Sequence, residues 1–375
     1  MAEKATEGLE GIIAAPSSIC SIENGVLRYR GIRIEDLSEH SNFEEVIYLL
    51  WHGNLPTEAE LENLKKELNE KNQLSEPVVK MMQNFPKNAN FMDVLRSTVS
   101  IMSFYDPDAG DNSIEANFRK ALRLTAQLPQ VISGWEHIRN QRHPIFPKSS
   151  MGMAGNFLYM LHGKEPTDLE RQTFDRALVL HADHEFNAST FAARVTAATL
   201  SDMYSAITTA IGTLKGPLHG GANQRVMETL LKIGQIENVK SFLEEAFSRK
   251  ERIMGFGHRV YKTGDPRARE LKKMSELLGK ERGDTKWFEM STSMEKIVKE
   301  KKSLLPNVDF YSASTYHLLQ IPFDMYTPIF AMSRIAGWTS HVMEQLSNNR
   351  LIRPRAEYIG VKEAAYVPLS QRKSS

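Results

Sequence analysis

Apolar residues recur every three or four positions along most of this chain, the spacing that brings side chains onto one face of an α-helix. The first such run consists of Phe43, Val46, Ile47, Leu50 and Trp51, and it ends at a Gly-Asn-Leu-Pro turn. The same spacing predicts further helices over residues 57–68, 167–183, 189–200, 202–214, 225–232, 239–249, 267–278, 290–302 and 326–348.

Two of these helices begin with a capping-box signature, in which a threonine precedes a glutamate by three positions. The pairs are Thr57 with Glu60 and Thr167 with Glu170. In such a box each residue satisfies a main-chain N–H group that the first helical turn leaves unpaired. The signature therefore predicts helix starts at both threonines.

The start of the chain has a different pattern, with two short runs over residues 19–23 and 26–30 that are separated by Asn24 and Gly25. Asn-Gly between two such runs indicates a tight β-hairpin. No alternation of strands and helices follows, and no repeat of fixed period is present. The predicted fold class is mainly α, with a minor N-terminal β-hairpin.

The composition is that of an ordinary globular protein, with 41% hydrophobic and 25% charged residues. A formal net charge of +1 gives no electrostatic reason to expect nucleic acid or an anionic membrane as a partner. The single cysteine, Cys20, excludes an internal disulfide and an all-cysteine metal site. The polar N-terminus and the lack of an apolar run of about 20 residues predict a cytoplasmic protein without a signal peptide or a membrane span.

Two dense turn clusters, at residues 215–221 and 306–311, interrupt the helical pattern. They predict a small unit over 216–317, and a large unit formed by 1–215 together with 318–375. Three polar catalytic candidates lie at or between these breaks, where a cleft and a hinge would bring them together.

The most informative segment is residues 255–267, in which Gly255 and Gly257 precede His258, and Arg267 follows an Asp-Pro step. A histidine exchanges a proton near neutral pH, and the planar fork of an arginine fits a carboxylate. The alternative of a dinucleotide-binding loop lacks its third glycine and a preceding strand. We therefore expect an enzyme that acts on a small organic acid.

A second histidine, His219, precedes two glycines where a helix is expected to begin. The positive end of a helix dipole disfavours imidazolium, so this ring is expected to be neutral and to donate a hydrogen bond to a carbonyl or enol oxygen. A loop histidine in a tight turn is the alternative interpretation.

Asp309 follows a proline turn and precedes the aromatic pair Phe310 and Tyr311. A carboxylate held against apolar surface has a raised pKa and can serve as a general base. An aspartate that caps a turn or a helix is the commoner case, and the spacing alone leaves that alternative open.

His181 and His184 stand three positions apart, and a metal site would be one interpretation of this pair. The order of residues differs from the His-Glu-x-x-His motif, so we favour one histidine that binds an anionic substrate, and we expect no metal. Arg334 and Arg353, taken alone, would fit a helix end and a basic tail.

Together these segments resemble the citrate synthase family, over a span from Gly8 to Gly360. The resemblance rests on GFGHRVYKTGDPR, LHGGAN, NVDFYSA, SRIAGW and RPR, which occur in the order and at the spacing of the family. The length is similar to that of the short Bacillus-like and archaeal members. The resemblance implies a nearly all-α homodimer, in which a large domain with the oxaloacetate site is hinged to a small domain with the coenzyme A site.

The resemblance also implies roles for individual residues. His219 would polarise the carbonyl of acetyl-CoA, Asp309 would remove a methyl proton, and His258 would activate the carbonyl of oxaloacetate. Oxaloacetate would be held by His184, Arg267 and Arg334, and by Arg353 of the neighbouring subunit. The coenzyme A contacts would be Gly255, Phe256, Gly257, Lys262 and Lys302, with the backbone of residues 255–257 exposed to the adenine. Acetyl-CoA would be a cosubstrate, and no cofactor would be bound permanently.

Three alternatives stay open from the sequence. The nearest is a 2-methylcitrate synthase, which would use propionyl-CoA with the same machinery, because one methylene in an apolar pocket is worth only about 1–3 kcal/mol. The others are a zinc hydrolase built on His181 and His184, and a non-catalytic helical interaction protein.

Overall fold

The structure, a computed structural model, describes residues 7–9, 11–148, 151–258 and 260–372. Residues 1–6, on which the expectation of no signal peptide partly rests, lie outside this description, as does Arg259 of the 255–267 segment. Within the described ranges, no helix has the length and apolar character that a bilayer-crossing segment requires.

The N-terminal hairpin is confirmed, and it gains a third strand. Strands β1 (Cys20–Glu23), β2 (Val26–Tyr29) and β3 (Ile32–Arg33) pair antiparallel in the order in which they occur along the chain. The turn residues Asn24 and Gly25 have φ angles of 51° and 77°, as the tight hairpin turn requires.

The rest of the regular structure is helical, which confirms the mainly α fold class. The described α-helices are α1 (Ile34–His40), α2 (Phe43–His52), α3 (Glu58–Lys71), α4 (Glu76–Gln83), α5 (Phe91–Met102), α6 (Ile114–Arg139), α7 (Met153–His162), α8 (Asp168–His181), α9 (Ala188–Ala198), α10 (Met203–Leu214), α11 (Ala222–Ile233), α12 (Val239–Ser248), α13 (Pro266–Arg282), α14 (Lys286–Lys302), α15 (Val308–Leu318) and α16 (Tyr326–Ser347).

Both capping boxes form as the sequence predicts. The main-chain N–H of Thr57 donates to the carboxylate of Glu60 at 2.8 Å, and the hydroxyl of Thr57 accepts the N–H of Glu60 in return. Thr167 and Glu170 repeat this exchange at the start of α8. These local bonds fix where α3 and α8 begin.

Helix α16 runs through the core and packs against α2, α6, α8, α9 and α10. Helices α11 to α15 form a second group, within which α13 packs on α15 and α12 on α14. His219 lies in the turn before this second group, while His258 and Asp309 lie within the group, between α12 and α13 and in the first turn of α15. The division into a large unit (1–215 and 318–375) and a small unit (216–317) stays a prediction.

Candidate active site

The 255–257 segment pairs with the chain that leads into α15. The N–H of Gly257 donates to the carbonyl of Leu305 at 2.8 Å, and the N–H of Asn307 donates to the carbonyl of Gly255 at 2.9 Å. The side-chain amide of Asn307 adds a bond of 2.9 Å to the carbonyl of Gly257. These bonds hold the histidine-bearing loop against the start of the helix that carries the candidate base.

This pairing corrects the expectation that the backbone of residues 255–257 is exposed. Gly255 and Phe256 are buried, and the ring of Phe256 lies 4.4 Å from that of Phe310. A Cβ atom on Gly255 would come within 2.8 Å of Val226 and 2.9 Å of Phe310. The glycine is therefore needed for close packing, and only Gly257 keeps partial exposure.

His258 is neutral, and one of its ring nitrogens is already occupied. Its Nδ1 accepts the main-chain N–H groups of Val260 at 3.0 Å and Tyr261 at 3.3 Å, so the proton of the neutral ring lies on Nε2. Burial, followed by the charge of Arg267, lowers the pKa of His258 to about 4. The ring therefore presents an N–H donor at neutral pH.

His219 is also neutral, with the opposite tautomer. It lies in the turn before α11, where its Nε2 accepts the main-chain N–H of Ser189 at 3.2 Å and lies 2.8 Å from the hydroxyl of the same serine. The indole of Trp338 donates to this hydroxyl at 3.1 Å. The remaining proton is on Nδ1. Burial, followed by the charge of Arg334, lowers the pKa of His219 to about 4, so the ring is neutral as expected.

Asp309 does not cap its helix. The N-cap of α15 is Asn307, whose side chain accepts the N–H of Asp309 at 3.1 Å. The carboxylate of Asp309 is therefore not used for helix capping, contrary to the alternative interpretation. Burial raises its pKa to about 6, against the opposing charge of Arg267. A carboxylate with this pKa is a competent base at neutral pH.

Arg267 is buried and paired with Asp265, which caps α13 directly before Pro266. Its Nε and Nη2 atoms donate to the two carboxylate oxygens of Asp265 at 3.0 and 2.9 Å. Burial acts to lower the pKa of Arg267, but Asp265 outweighs it and the net shift is upward. Sequence reasoning used the Asp-Pro step only to place Arg267. An aspartate before a proline is also a helix-start signal, which could have identified the cap.

Arg334 occupies the middle of α16 and is 1% exposed, so it serves neither a helix end nor solvent. Its Nε donates to the carbonyl of His181 at 2.7 Å, and its guanidinium lies 4.7 Å from the ring of Phe330. Burial lowers its pKa, and Asp183 opposes this shift. A buried guanidinium is a strong site for a carboxylate ligand.

His184 lies next to His258, with their ring centroids 5.2 Å apart. Its Nε2 is 3.1 Å from the hydroxyl of Tyr261, a residue that sequence reasoning missed because no local pattern distinguishes it. Burial and the charge of Arg267 lower the pKa of His184 well below its usual value.

His181 faces different surroundings from His184. Its Nδ1 donates to the carbonyl of Ala177 at 2.7 Å, and its ring packs 5.1 Å from that of Phe330. Among the residues with a described placement, no group of three or more histidine, cysteine, aspartate or glutamate side chains is arranged to hold a metal ion. The geometry gives no support to the zinc-hydrolase alternative.

The other expected ligand residues lie at the surface. Arg353 is exposed in the segment without regular structure that follows α16, and Lys262 is exposed in the loop after His258. Lys302, also exposed, ends α14 with its ammonium 5.0 Å from the ring of Phe247. The charge of Lys262 adds to the lowering of the pKa of His258, but no described hydrogen bond or ion pair joins these three residues to the candidate catalytic residues, and their roles stay predictions.

The charges of two buried guanidinium groups, those of Arg267 and Arg334, act on the candidate catalytic residues. After burial, the strongest influence on the pKa of His219 is Arg334, and on those of His258 and Asp309 it is Arg267. Two neutral imidazoles, one carboxylate of raised pKa and two arginines define a class of protein. This class is a mostly helical acid–base enzyme with a site for an anionic substrate.

The comparisons with known proteins agree with this class. The model of the family described as "Citrate synthase, C-terminal domain" matches residues 8–355. Citrate synthase 2 of Bacillus subtilis is 50% identical over 98% of this chain and 99% of its own length, and 2-methylcitrate synthase 1 of Corynebacterium glutamicum is 43% identical over 98% of each. A citrate synthase from Thermoplasma acidophilum, solved with carboxymethyl coenzyme A and oxaloacetate, is 33% identical, with a TM-score of 0.92 over 99% of this chain and 100% of that one. The chain belongs to the citrate synthase family.

Proposed function

We propose that this enzyme condenses acetyl-CoA with oxaloacetate and water to give citrate and coenzyme A. The observation that carries the proposal is the contrast between Asp309, whose pKa of about 6 leaves it ionised at neutral pH, and His219, whose pKa of about 4 leaves it neutral. A base and a neutral donor are what the first step needs.

The first step forms an enol from the thioester. The methyl group of acetyl-CoA is a very weak acid, so its proton leaves only if the carbonyl oxygen is stabilised at the same time. Asp309 takes the methyl proton, while the Nδ1–H of His219 donates to the carbonyl oxygen. Each acid–base contribution is worth about 10²–10⁴-fold in rate.

The second step joins the two substrates. The enol carbon attacks the ketone carbon of oxaloacetate, and the ketone oxygen gains negative charge that must be neutralised. His258 carries its proton on Nε2 and donates it to this oxygen. The product of this step is citryl-CoA, whose thioester is then hydrolysed to citrate and coenzyme A.

Oxaloacetate carries two carboxylates, which accounts for several cationic groups around one site. Arg267, Arg334 and His184 hold it from within the subunit, and Arg353 is contributed by the other subunit of a homodimer. The exposed position of Arg353 in a single chain supports this assignment.

The homodimer is further supported by apolar side chains at the surface. Phe104, Ile114 and Leu200 are 76%, 73% and 62% exposed. The amide of Asn112 donates to the carbonyl of Leu200 at 2.9 Å, so the start of α6 and the α9–α10 turn adjoin. Large exposed apolar side chains on adjoining elements fit burial against a second copy.

The coenzyme A site is assigned to the small unit over 216–317. Its proposed residues are Gly255, Phe256, Gly257, Lys262 and Lys302. The lysines suit the phosphates, and coenzyme A acts as a cosubstrate with no permanently bound cofactor. Closure of the small unit on the large one would exclude water until condensation is complete. We place the enzyme in the cytoplasm.

The test is release of the coenzyme A thiol from acetyl-CoA plus oxaloacetate without added metal, run beside propionyl-CoA. We expect strong preference for acetyl-CoA. Preference for propionyl-CoA would favour the second candidate function, that of a 2-methylcitrate synthase. The similarity to the Corynebacterium 2-methylcitrate synthase is the observation that supports this candidate. Release with neither thioester would overturn the catalytic proposal, and activity that a chelator abolishes would favour the zinc hydrolase.

A further inference from the structure

The N-terminal hairpin holds the loop that connects α8 with α9, and this loop carries His184. The hydroxyl of Tyr29 on β2 accepts the main-chain N–H of Asp183 at 3.1 Å and donates to the carbonyl of the same residue at 2.9 Å. Tyr29 is fully buried, so both bonds are shielded from water. The residue before His184 is therefore fixed by the hairpin.

The residue after His184 is held by the same hairpin. The carboxylate of Glu185 accepts the main-chain N–H of Ile22 on β1 at 2.6 Å. Glu185 has a φ angle of 48°, in the left-handed region where residues other than glycine are uncommon. A non-glycine residue keeps such a conformation only when its surroundings hold it there. The bond to Ile22 is one such restraint.

The loop is also restrained on its far side. Asn187, which caps α9, donates from its side-chain amide to the carbonyl of His184 at 3.2 Å and to that of Glu185 at 3.3 Å. The backbone at His184 thus has restraints on both sides, and its ring is held 3.1 Å from the hydroxyl of Tyr261. A shift of the backbone would move the ring out of that contact.

We propose that Glu185 is a positioning residue for oxaloacetate, because its bond to the hairpin holds the strained backbone that aims the His184 ring into the site. This inference rests on the proposed function, since it names a residue that serves the same substrate. Neither Glu185 nor the hairpin has to touch oxaloacetate for this role. The hairpin then contributes to substrate binding by positioning His184, in addition to packing against the core.

Three substitutions at one position separate the hydrogen bond from the backbone strain. Glu185→Gln keeps an oxygen that accepts the N–H of Ile22. Glu185→Gly removes the bond but adopts a left-handed φ without strain. Glu185→Ala removes the bond and keeps the strain. We expect oxaloacetate affinity to fall in the order wild type, Gln, Gly, Ala, with the alanine variant about tenfold or more weaker, since small misplacements of binding groups have large effects.

The readouts are the KM and the calorimetric Kd for oxaloacetate, the KM for acetyl-CoA, and the melting temperature. The matched control is Gln141→Ala, because Gln141 also has a left-handed φ, of 57°, but lies in an exposed turn after α6. The control should leave the oxaloacetate constants unchanged. The acetyl-CoA KM should stay within about twofold in all soluble variants, because the bond acts directly on the loop of His184 and reaches His219 only through Asn187 and Ser189.

The outcomes distinguish the two proposals. If wild-type enzyme does not condense the substrates, the proposed function fails. If it does, and Glu185→Ala lowers the melting temperature without changing the oxaloacetate Kd, the positioning role is overturned. It is equally overturned if Glu185→Gln is as weak as Glu185→Ala. Should the alanine variant fail to fold, Glu185→Gly and Tyr29→Phe decide by the same oxaloacetate Kd.

Discussion

The carboxylate of Asp265 accepts the main-chain N–H of Val308 at 3.0 Å. The same carboxylate holds the guanidinium of Arg267, so one side chain fixes this proposed oxaloacetate ligand relative to the first turn of α15. The proposed base lies one residue beyond Val308. The buried Asp265–Arg267 ion pair therefore fixes the position of the proposed oxaloacetate ligand relative to the proposed base, Asp309.

Replacing Asp265 by asparagine should destabilise the fold strongly. The change leaves the buried guanidinium of Arg267 without its counter-charge, which costs about 3–5 kcal/mol in buried pairs of this kind. The free energy of unfolding from urea titration measures the effect. Glu276→Gln is the control, because Glu276 forms an exposed pair with Lys280 and should change little. Equal losses of unfolding free energy in the two variants would contradict the expectation that the buried ion pair matters more for stability than the exposed one.

Replacing Asp309 by asparagine should abolish enolisation and leave oxaloacetate binding nearly intact. We expect turnover to fall by about 10²–10⁴-fold, the range for loss of a general base. Exchange of the acetyl-CoA methyl protons with solvent measures the step directly. Asp36→Asn, at an exposed position on α1, is the control. Near-normal turnover in the Asp309 variant would refute the assignment of the base.

The acid limb of the pH–rate profile should report Asp309. Its pKa is raised to about 6 by burial, so the ionised base is present above this pH and is lost as the pH falls through it. His219 and His258 have pKa values of about 4 and stay neutral over this range. We therefore expect kcat/KM for acetyl-CoA to fall tenfold per pH unit below about 6. A limb centred near pH 4 would contradict the raised pKa.

Gly255→Ala should cost more stability than Gly31→Ala. Both glycines have left-handed φ angles, of 82° and 88°, so both substitutions carry similar backbone strain. Only at Gly255 would the added Cβ meet other atoms, at 2.8 Å from Val226 and 2.9 Å from Phe310, whereas nothing lies within 4 Å at Gly31. We expect the difference between the two unfolding free energies to be about 1–3 kcal/mol, the usual cost of overpacking. Equal losses of stability would show that Val226 and Phe310 move aside to make room for the added Cβ atom.

Mixing subunits tests the assignment of Arg353. An Arg353→Ala variant and an Asp309→Asn variant should each be nearly inactive. After subunit exchange, a heterodimer has one site with an intact Asp309 and a partner-derived Arg353, so part of the activity should return. Exchange is verified by mass spectrometry of the intact dimers. No recovery in confirmed heterodimers would count against a shared site.

Local patterns predicted the hairpin and ten of the sixteen described α-helices, but they missed α1, α4, α5, α6, α7 and α15. Capping boxes such as that of Thr57 act within one turn, and the Asn24-Gly25 turn joins neighbouring strands, so adjacent residues carry the whole signal. The short strand β3 was missed because it adds only two residues to the sheet.

The contacts that assemble the site could not be predicted in the same way. Asp265 meets Val308 across 43 positions, and Tyr261 meets His184 across 77. Such pairings depend on how the helices pack, and they produce no recognisable pattern of residue spacing in the sequence. The same reason explains the wrong expectation for Gly255, because its neighbours Val226 and Phe310 come from two distant helices.

Trp338 is fully buried, and its indole N–H donates to the hydroxyl of Ser189, which lies 2.8 Å from the ring of His219. The chain has four tryptophans. Replacing Trp51, Trp135 and Trp287 by phenylalanine would leave Trp338 as the single tryptophan, separated from His219 by one hydroxyl group. Because this tryptophan contacts the residue that holds His219, we expect its fluorescence to change when the thioester binds and again when coenzyme A leaves.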